Sequence, residues 1–140
     1  MGLWYKDHRK VSMWSYIQNT GELFRPDGTL IATGYSGGNE GKNPEGINNP
    51  DMQNIKKVGP LPQGFYTFGE VVLKSQLGPF VIPLIPDTDN VMFGRSGMYV
   101  HGDHDDTHPK QSASEGCIIM PRAVREEMYS SKDRILEVKV

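Results

Sequence analysis

Glycine and proline recur along this chain and divide its apolar segments into short pieces. The 140 residues include 16 glycines and 10 prolines. Glycine readily adopts positive φ and proline lacks a backbone donor, so both residues mark turns and interrupt helices. The pattern favours short strands joined by turns over a helical bundle. The length suits one domain with a buried core.

The apolar segments between these turns are rich in Val, Ile, Phe and Tyr, which suit the half-buried surface of a sheet. They predict strands at residues 14–18, 22–25, 29–35, 65–73, 80–85, 98–101 and 135–140. One helix is predicted at residues 121–129, where Pro121 suits the first turn. Residues 37–58 are predicted to be a long loop, either functional or mobile, or else an ordered surface loop without a role. The expected fold is therefore a mainly β domain with one short helix near the C-terminus.

Charge and hydropathy argue against several classes of protein. The formal net charge of −2 argues against a general binder of nucleic acid or anionic membranes. No apolar run approaches the roughly 20 residues that a membrane-spanning helix needs. Residues 1–12 are too charged to contain the apolar core of a secretory signal. We interpret them as an extension of unknown role and place the domain at residues 13–140.

The chain has one cysteine, Cys117, so an intrachain disulfide is impossible and three roles remain: buried apolar residue, metal ligand or nucleophile. Residues 99–108 begin as an apolar strand that ends at His101, and residues 112–120 form a polar turn that leads to Cys117. A thiol with a pKa of about 8.5 is mostly protonated near neutral pH and requires a base to become a nucleophile. If these strand ends lie side by side, His101 can be that base and accept the thiol proton. Gly116 permits close backbone approach, and the amides around Gly116 and Cys117 are candidates for an oxyanion hole.

A metal site is the strongest alternative. The potential ligands crowded into this region are His101, Asp103, His104, Asp105, Asp106, His108 and Cys117. Their spacing matches no zinc finger, zinc protease or EF-hand, so we expect no metal and no cofactor. We interpret residues 103–108 as a solvated loop over the site in which Asp103 orients His101. His101 is preferred to the other two histidines as the base because it ends an apolar strand.

A non-catalytic module that binds cell wall or a partner is the second alternative. Four aromatic residues are the candidates for such a surface: Trp4, Tyr5, Trp14 and Tyr16. Their rings either stack on sugars or a partner protein, or pack within the core.

Several short motifs carry a family resemblance. His101-Gly102, followed after a short stretch by Ser114-Glu115-Gly116-Cys117 and two isoleucines, resembles the motif of the YkuD-type L,D-transpeptidases. Residues 59–67 resemble that family's Pro-x-Gly-x-Phe/Tyr-Thr segment. Tyr-Ser-Gly at residues 35–37, Gly-Pro-Leu-Pro at 59–62 and Gly-Arg-Ser-Gly at 94–97 are similar to the small L,D-transpeptidase-like toxins of type VI secretion. The resemblance covers approximately residues 13–125.

This resemblance implies an L,D-transpeptidase-like β-sandwich with Cys117 as nucleophile and His101 as base. Ser114, Glu115 and Gly116 form the loop beside the oxyanion. The chain departs from the general family at Glu115, where a histidine is expected, and at Ile119, where an arginine is expected. Arg95 or Arg122 is the candidate for the missing positive charge toward a substrate carboxylate. Tyr99 and Gly102 complete the expected substrate-binding residues.

The resemblance also implies a reaction and a place for it. Cys117 attacks the carbonyl that joins a diaminoacyl residue to the terminal D-alanine of a peptidoglycan stem tetrapeptide. D-alanine leaves, and the thioester passes to water, to a D-amino acid or to the amine of another stem. The toxin resemblance favours trimming and exchange over crosslinking. It implies synthesis in the cytoplasm without a signal peptide, delivery by a secretion system to the periplasm of a target bacterium, and an immunity protein as a partner.

Overall fold

The structure, a computed structural model, describes residues 11–105 and 107–140. The predicted extension at residues 1–12 lies outside them except for its last two residues. Within the described residues the strands are β1 (Trp14–Ile17), β2 (Glu22–Phe24), β3 (Leu30–Thr33), β4 (Tyr35–Ser36), β5 (Gly64–Phe68), β6 (Val72–Ser75), β7 (Gly78–Pro86), β8 (Tyr99–His101), β9 (Ile118–Ile119) and β10 (Ile135–Lys139). The helix α1 (Arg122–Ser130) precedes β10, and two short 3-10 helices, Pro44–Gly46 and Pro50–Met52, lie in the long loop.

The prediction of a mainly β domain with one short helix near the C-terminus is confirmed. Each predicted strand segment contains a strand, but two of them divide. Residues 29–35 form β3 and β4, and residues 65–73 form β5 and β6. The apolar run that follows Cys117 forms the short strand β9.

The strands are hydrogen-bonded in the order β3-β2-β1-β10-β5-β7-β8-β9-β4, with β6 beside β7. The long strand β7 links two portions of this sheet, because it pairs with β5 near its C-terminal end and with β8 nearer its middle. Side chains from both portions meet in one core, in which Tyr16 and Leu136 from one portion accompany Val100 and Ile118 from the other. The core thus lies between the two portions.

Gly34 explains why the third predicted strand divides. The chain leaves the first portion of the sheet here, because β3 pairs with β2 whereas β4 pairs with β9. A Cβ at Gly34 would lie 1.9 Å from the carbonyl oxygen of Ile119. Only glycine allows this close approach of two backbones, so the crossing brings β4 against the strand that follows Cys117.

Trp14 and Tyr16 are core residues, with 1% and 0% of their surface exposed. The indole Nε1 of Trp14 donates to the carbonyl of Asp133 at 3.1 Å. Their burial excludes them from a surface that stacks on sugars or on a partner, and Trp4 and Tyr5 lie outside the described residues. Among the residues that the structure describes, no helix has the length and apolar character to cross a membrane.

Candidate active site

Each of the two reactive segments contains a strand, β8 in the first and β9 in the second, and these strands are parallel neighbours. Val100 of β8 lies opposite Ile118 of β9, and this register puts Cys117 level with Tyr99. Side chains alternate along a strand, so Tyr99, His101 and Cys117 project from the same face. Both His101 and Cys117 line one open cavity of about 330 Å³.

His101 is held with one ring nitrogen ready to accept a proton. The side chain is buried, and its Nδ1 lies 2.9 Å from the carbonyl oxygen of Gly102. Because a carbonyl oxygen only accepts, Nδ1 carries the hydrogen and Nε2 keeps its lone pair. Burial lowers the pKa of His101, and the charge of Arg125 lowers it further, against the opposing effect of the Gly102 carbonyl. The imidazole is therefore neutral near pH 7.

Asp103 does not orient His101 in the way that the sequence analysis expected. Its Oδ1 accepts from the Tyr35 hydroxyl at 2.7 Å and from the backbone amide of His104 at 2.9 Å. The Gly102 carbonyl instead accepts the hydrogen bond from Nδ1 of His101. Asp103 affects the pKa of His101 only through a weaker electrostatic contribution. A backbone carbonyl fixes the ring without adding a second ionisable group to the pair.

The thiol of Cys117 is protonated at rest. Its Sγ donates weakly to the carbonyl of Gly97 at 3.8 Å. Burial raises the pKa of Cys117 to about 11, although the Tyr99 backbone amide and the charge of Arg95 act in the opposite direction. A preformed thiolate is thus not favoured, and the proton must move to His101 as the sulfur attacks.

One buried hydroxyl shapes the turn that presents Cys117. The Ser114 Oγ donates to the carbonyl of Cys117 at 2.6 Å and accepts from the amides of Gly37 at 2.8 Å and Gly116 at 3.0 Å. The Gly116 amide is therefore engaged within the turn, which removes it from the oxyanion donors that we expected. Gly116 has φ +133°, and a Cβ there would lie 2.4 Å from Nη2 of Arg95.

A second serine fixes the other side of the turn. The Ser36 hydroxyl of β4 donates to the carbonyl of Gly116 at 2.9 Å and accepts from the amide of Leu61 at 2.8 Å. The Tyr-Ser-Gly and Gly-Pro-Leu-Pro motifs thereby meet behind the cysteine. Ser36 is thus a site residue that the motifs of the resemblance contain but that was not among the predicted site residues.

We expect Ser114→Ala to loosen the cysteine turn. The change leaves the amides of Gly37 and Gly116 without their acceptor, and a buried polar group left unsatisfied costs about 1–3 kcal/mol. The melting temperature and the turnover rate should both fall. Ser112→Ala is the matched control, because Ser112 is buried but donates to one carbonyl only, that of Pro109. Equal losses in the two variants would contradict a specific role for Ser114.

Arg95 lines the cavity, but its terminal donors are occupied. Nη1 donates to the carbonyls of Gln53 at 2.6 Å and Pro60 at 2.8 Å, and Nη2 donates to those of Gly59 at 2.9 Å and Glu115 at 3.2 Å. These four bonds use all four terminal N–H groups, so the guanidinium has no fork to offer a carboxylate. Arg95 instead joins the loop before β5 to the cysteine turn.

The remaining predicted substrate-binding residues are divided between the cavity and its surroundings. Tyr99 and Glu115 line the cavity. Arg122 does not: its Nε donates to Glu126 at 3.0 Å, on the exposed side of α1. A Cβ at Gly102 would lie 2.9 Å from Nη1 of Arg125, so Gly102 contacts the helix instead. Ile119 is buried and pairs with Tyr35 of β4, so this position supplies no positive charge to the cavity.

The candidate metal ligands do not assemble. Within residues 11–105 and 107–140, no group of three His, Cys, Asp or Glu side chains is arranged to hold a metal ion, and Asp106 lies outside the described residues. His104 and His108 stack on each other with ring centroids 4.3 Å apart, and His108 pairs with Asp105 at 3.0 Å. Neither of these two histidines is among the residues that line the cavity, whereas His101 is.

The long loop at residues 37–58 contributes charged residues that the sequence analysis missed. Glu40, Lys56 and Lys57 line the cavity and are charged, whereas the strands that carry the reactive pair are apolar. No spacing marks them in the sequence, because the loop has no regular period. Arg125 was also missed: it is buried and donates to the carbonyls of Phe80, Met120 and Pro79, which fixes α1 against β7 and the residue that follows β9.

Comparison with known proteins identifies a family for this chain. No curated protein matches the chain. The family model of the Tlde1 domain matches residues 31–140, which include Cys117, His101 and the motifs around them. This family comprises type VI secretion effectors of the L,D-transpeptidase type. Since the match covers most of the chain, the chain belongs to the Tlde1 domain family.

Proposed function

We propose that the chain is a cysteine enzyme that trims and exchanges the terminal D-alanine of peptidoglycan stem tetrapeptides. Membership of the Tlde1 family gives the general theme, an effector with an L,D-transpeptidase-like activity on peptidoglycan that is delivered to a target cell. The observation that carries the finer proposal is the shared cavity, in which neutral His101 and the protonated thiol of Cys117 project from the same face of β8 and β9.

The acylation step follows from these protonation states. Nε2 of His101 takes the Cys117 proton as Sγ attacks the carbonyl carbon before the terminal D-alanine. The resulting oxyanion collapses, the C–N bond breaks, and Nε2 returns the proton to the departing amine. D-alanine leaves as a neutral amine, and the stem remains as a thioester on Sγ.

Deacylation decides between the possible products. When water attacks, Nε2 takes one of its protons and passes it to the sulfur as the C–S bond breaks. The new carboxylic acid releases the second proton to solvent, and the stem ends in a carboxylate. When a D-amino acid attacks through its amine, the same steps give an exchanged stem. The cavity of about 330 Å³ is at the small end of ligand sites, which favours small acceptors over a second stem.

The biological setting belongs to the same proposal. Trimming and exchange both consume the tetrapeptide donors that a growing wall requires, which suits a toxin that acts in the periplasm of the target bacterium. A bacterium that makes such an enzyme requires an immunity protein, and the open cavity offers that protein a site to obstruct.

Mass spectrometry of purified tetrapeptide muropeptides tests the proposal. We expect the enzyme to remove one alanine and, with D-methionine present, to add the mass of that amino acid in its place. Enzyme alkylated with iodoacetamide is the control, because the chain has a single cysteine and a thiol reacts with this reagent faster than the other side chains do. Dimeric products would indicate a crosslinking enzyme instead, and unchanged muropeptides would contradict both activities.

A further inference from the structure

The cavity beside Cys117 is lined by three cationic residues, Arg95, Lys56 and Lys57. The terminal donors of Arg95 are committed to four backbone carbonyls. The two lysines are exposed, and neither ammonium group forms a hydrogen bond or an ion pair with another residue in the described part of the chain. Lys56 and Lys57 are therefore the positive charges in this cavity that a ligand can still pair with.

The loop that carries these lysines is fixed relative to the nucleophile. Ile55 closes a turn around them, since its carbonyl accepts from the amides of Val58 at 3.2 Å and Gly59 at 2.9 Å. Lys57 has φ +70°, a left-handed conformation that a residue with a side chain adopts only when its surroundings require it.

One guanidinium connects this turn to the cysteine turn. Arg95 holds the carbonyls of Gln53 and Gly59, on the two sides of the lysines, and also holds the carbonyl of Glu115. Because Glu115 is two residues before Cys117, the backbone that carries the lysines is tied to the backbone that carries the sulfur, and both border the same cavity.

The charges on the remaining lining residues restrict where an anion is accepted. Glu40 and Glu115 also line the cavity, and their carboxylates repel a ligand carboxylate. The wall formed by Lys56 and Lys57 is the part that attracts it. An ammonium group is a compact charge on a flexible stem, which suits a carboxylate whose neighbouring side chain varies.

We propose that Lys56 and Lys57 bind the carboxylate of the terminal D-amino acid, both in the stem that is cleaved and in the free D-amino acid that replaces it. This inference rests on the proposed function and assigns a substrate subsite to it. Both lysines belong to the loop before β5.

The test compares two double variants that remove the same charge. Lys56→Gln/Lys57→Gln removes the cavity lysines, and Lys74→Gln/Lys132→Gln removes exposed lysines of β6 and of the segment after α1. With tetrapeptide muropeptides, we expect the first variant to raise KM by about tenfold with little change in kcat, since ground-state and transition-state contacts to this carboxylate are lost equally. The control should keep the wild-type KM. An unchanged KM in the first variant, in a preparation whose wild type is active, would overturn the assignment.

Alkylation of Cys117 gives a readout that does not need turnover. We compare the rate with iodoacetate, which carries a carboxylate, to the rate with neutral iodoacetamide. The ratio should fall at least about threefold in Lys56→Gln/Lys57→Gln and stay constant in the control, and high salt should reduce the difference because the lysines are exposed. A wild type without turnover would contradict the proposed function, whereas an unchanged alkylation ratio would contradict the lysine subsite.

Discussion

Cys117→Ala is expected to abolish release and exchange of D-alanine while the domain stays folded. The substitution removes the atom that forms the thioester, and no other cysteine is available to replace it. The side chain is only half-buried, and the hydrogen bond that its thiol donates is the weak contact to Gly97 at 3.8 Å. We therefore expect a loss of stability of about 1 kcal/mol, as for one buried methylene-sized group. Product masses and thermal unfolding measure the two quantities.

Cys117→Ser is the companion variant for this test. It keeps the shape of the side chain but replaces the thiol by a hydroxyl, which is a far weaker nucleophile at neutral pH. The variant should be folded and inactive. Substantial turnover in Cys117→Ala would contradict covalent catalysis by this residue altogether.

His101→Ala is expected to lower kcat/KM by at least about 100-fold, the usual contribution of a general base. The effect should be large here because burial raises the pKa of Cys117 to about 11, so the thiol loses its proton only when a base receives it. His104→Ala is the matched control: it lies three residues along the chain, is exposed and is not among the residues that line the cavity. Equal losses in the two variants would contradict the assignment of His101.

The pH profile gives His101 a second signature. Since burial lowers its pKa below the ordinary value of about 6.5, the neutral base persists into mildly acidic solution. We expect the acid limb of kcat/KM to lie below pH 6.5 and to disappear in His101→Ala. The lowered pKa of His101 also affects the free energy of unfolding. The contribution of this residue to stability is fully present above its unfolded pKa near 6.5 and is lost as the pH falls through its folded pKa, because the unfolded chain binds the proton more readily. An acid limb centred above 6.5 would contradict a buried neutral histidine.

The motifs of the resemblance converge in space although they are scattered along the chain. Ser36 of the first motif bonds to Gly116 of the last, and Arg95 bonds to the carbonyls of Gly59 and Pro60 and to that of Glu115. Ser36 and Arg95 therefore bond directly to the turn that holds Cys117, and the Gly-Pro-Leu-Pro segment is joined to it through these two side chains. These hydrogen bonds hold the backbone around the nucleophile and do not reach its sulfur atom.

The sequence was sufficient for features that depend on neighbouring residues. Turn residues and β-branched runs located most strands, and Pro121 marked the start of the helix. A histidine at the end of one apolar strand and a cysteine before another apolar run identified the reactive pair. The parallel pairing of β8 and β9 puts Cys117 level with Tyr99, two residues before His101. Gly116 also follows from local needs, because its φ of +133° disfavours a side chain.

Tertiary structure alone decided which partner each polar group has. Asp103 pairs with Tyr35 and not with His101, Arg95 pairs with backbone carbonyls and not with substrate, and two loop lysines line the cavity. These outcomes depend on where the chain crosses between the two portions of the sheet, at Gly34, and on how the loop at residues 37–58 returns to the cysteine turn. A residue type limits what a side chain can donate or accept. It does not fix which of many distant carbonyls will be within 3 Å, because long-range packing sets those distances.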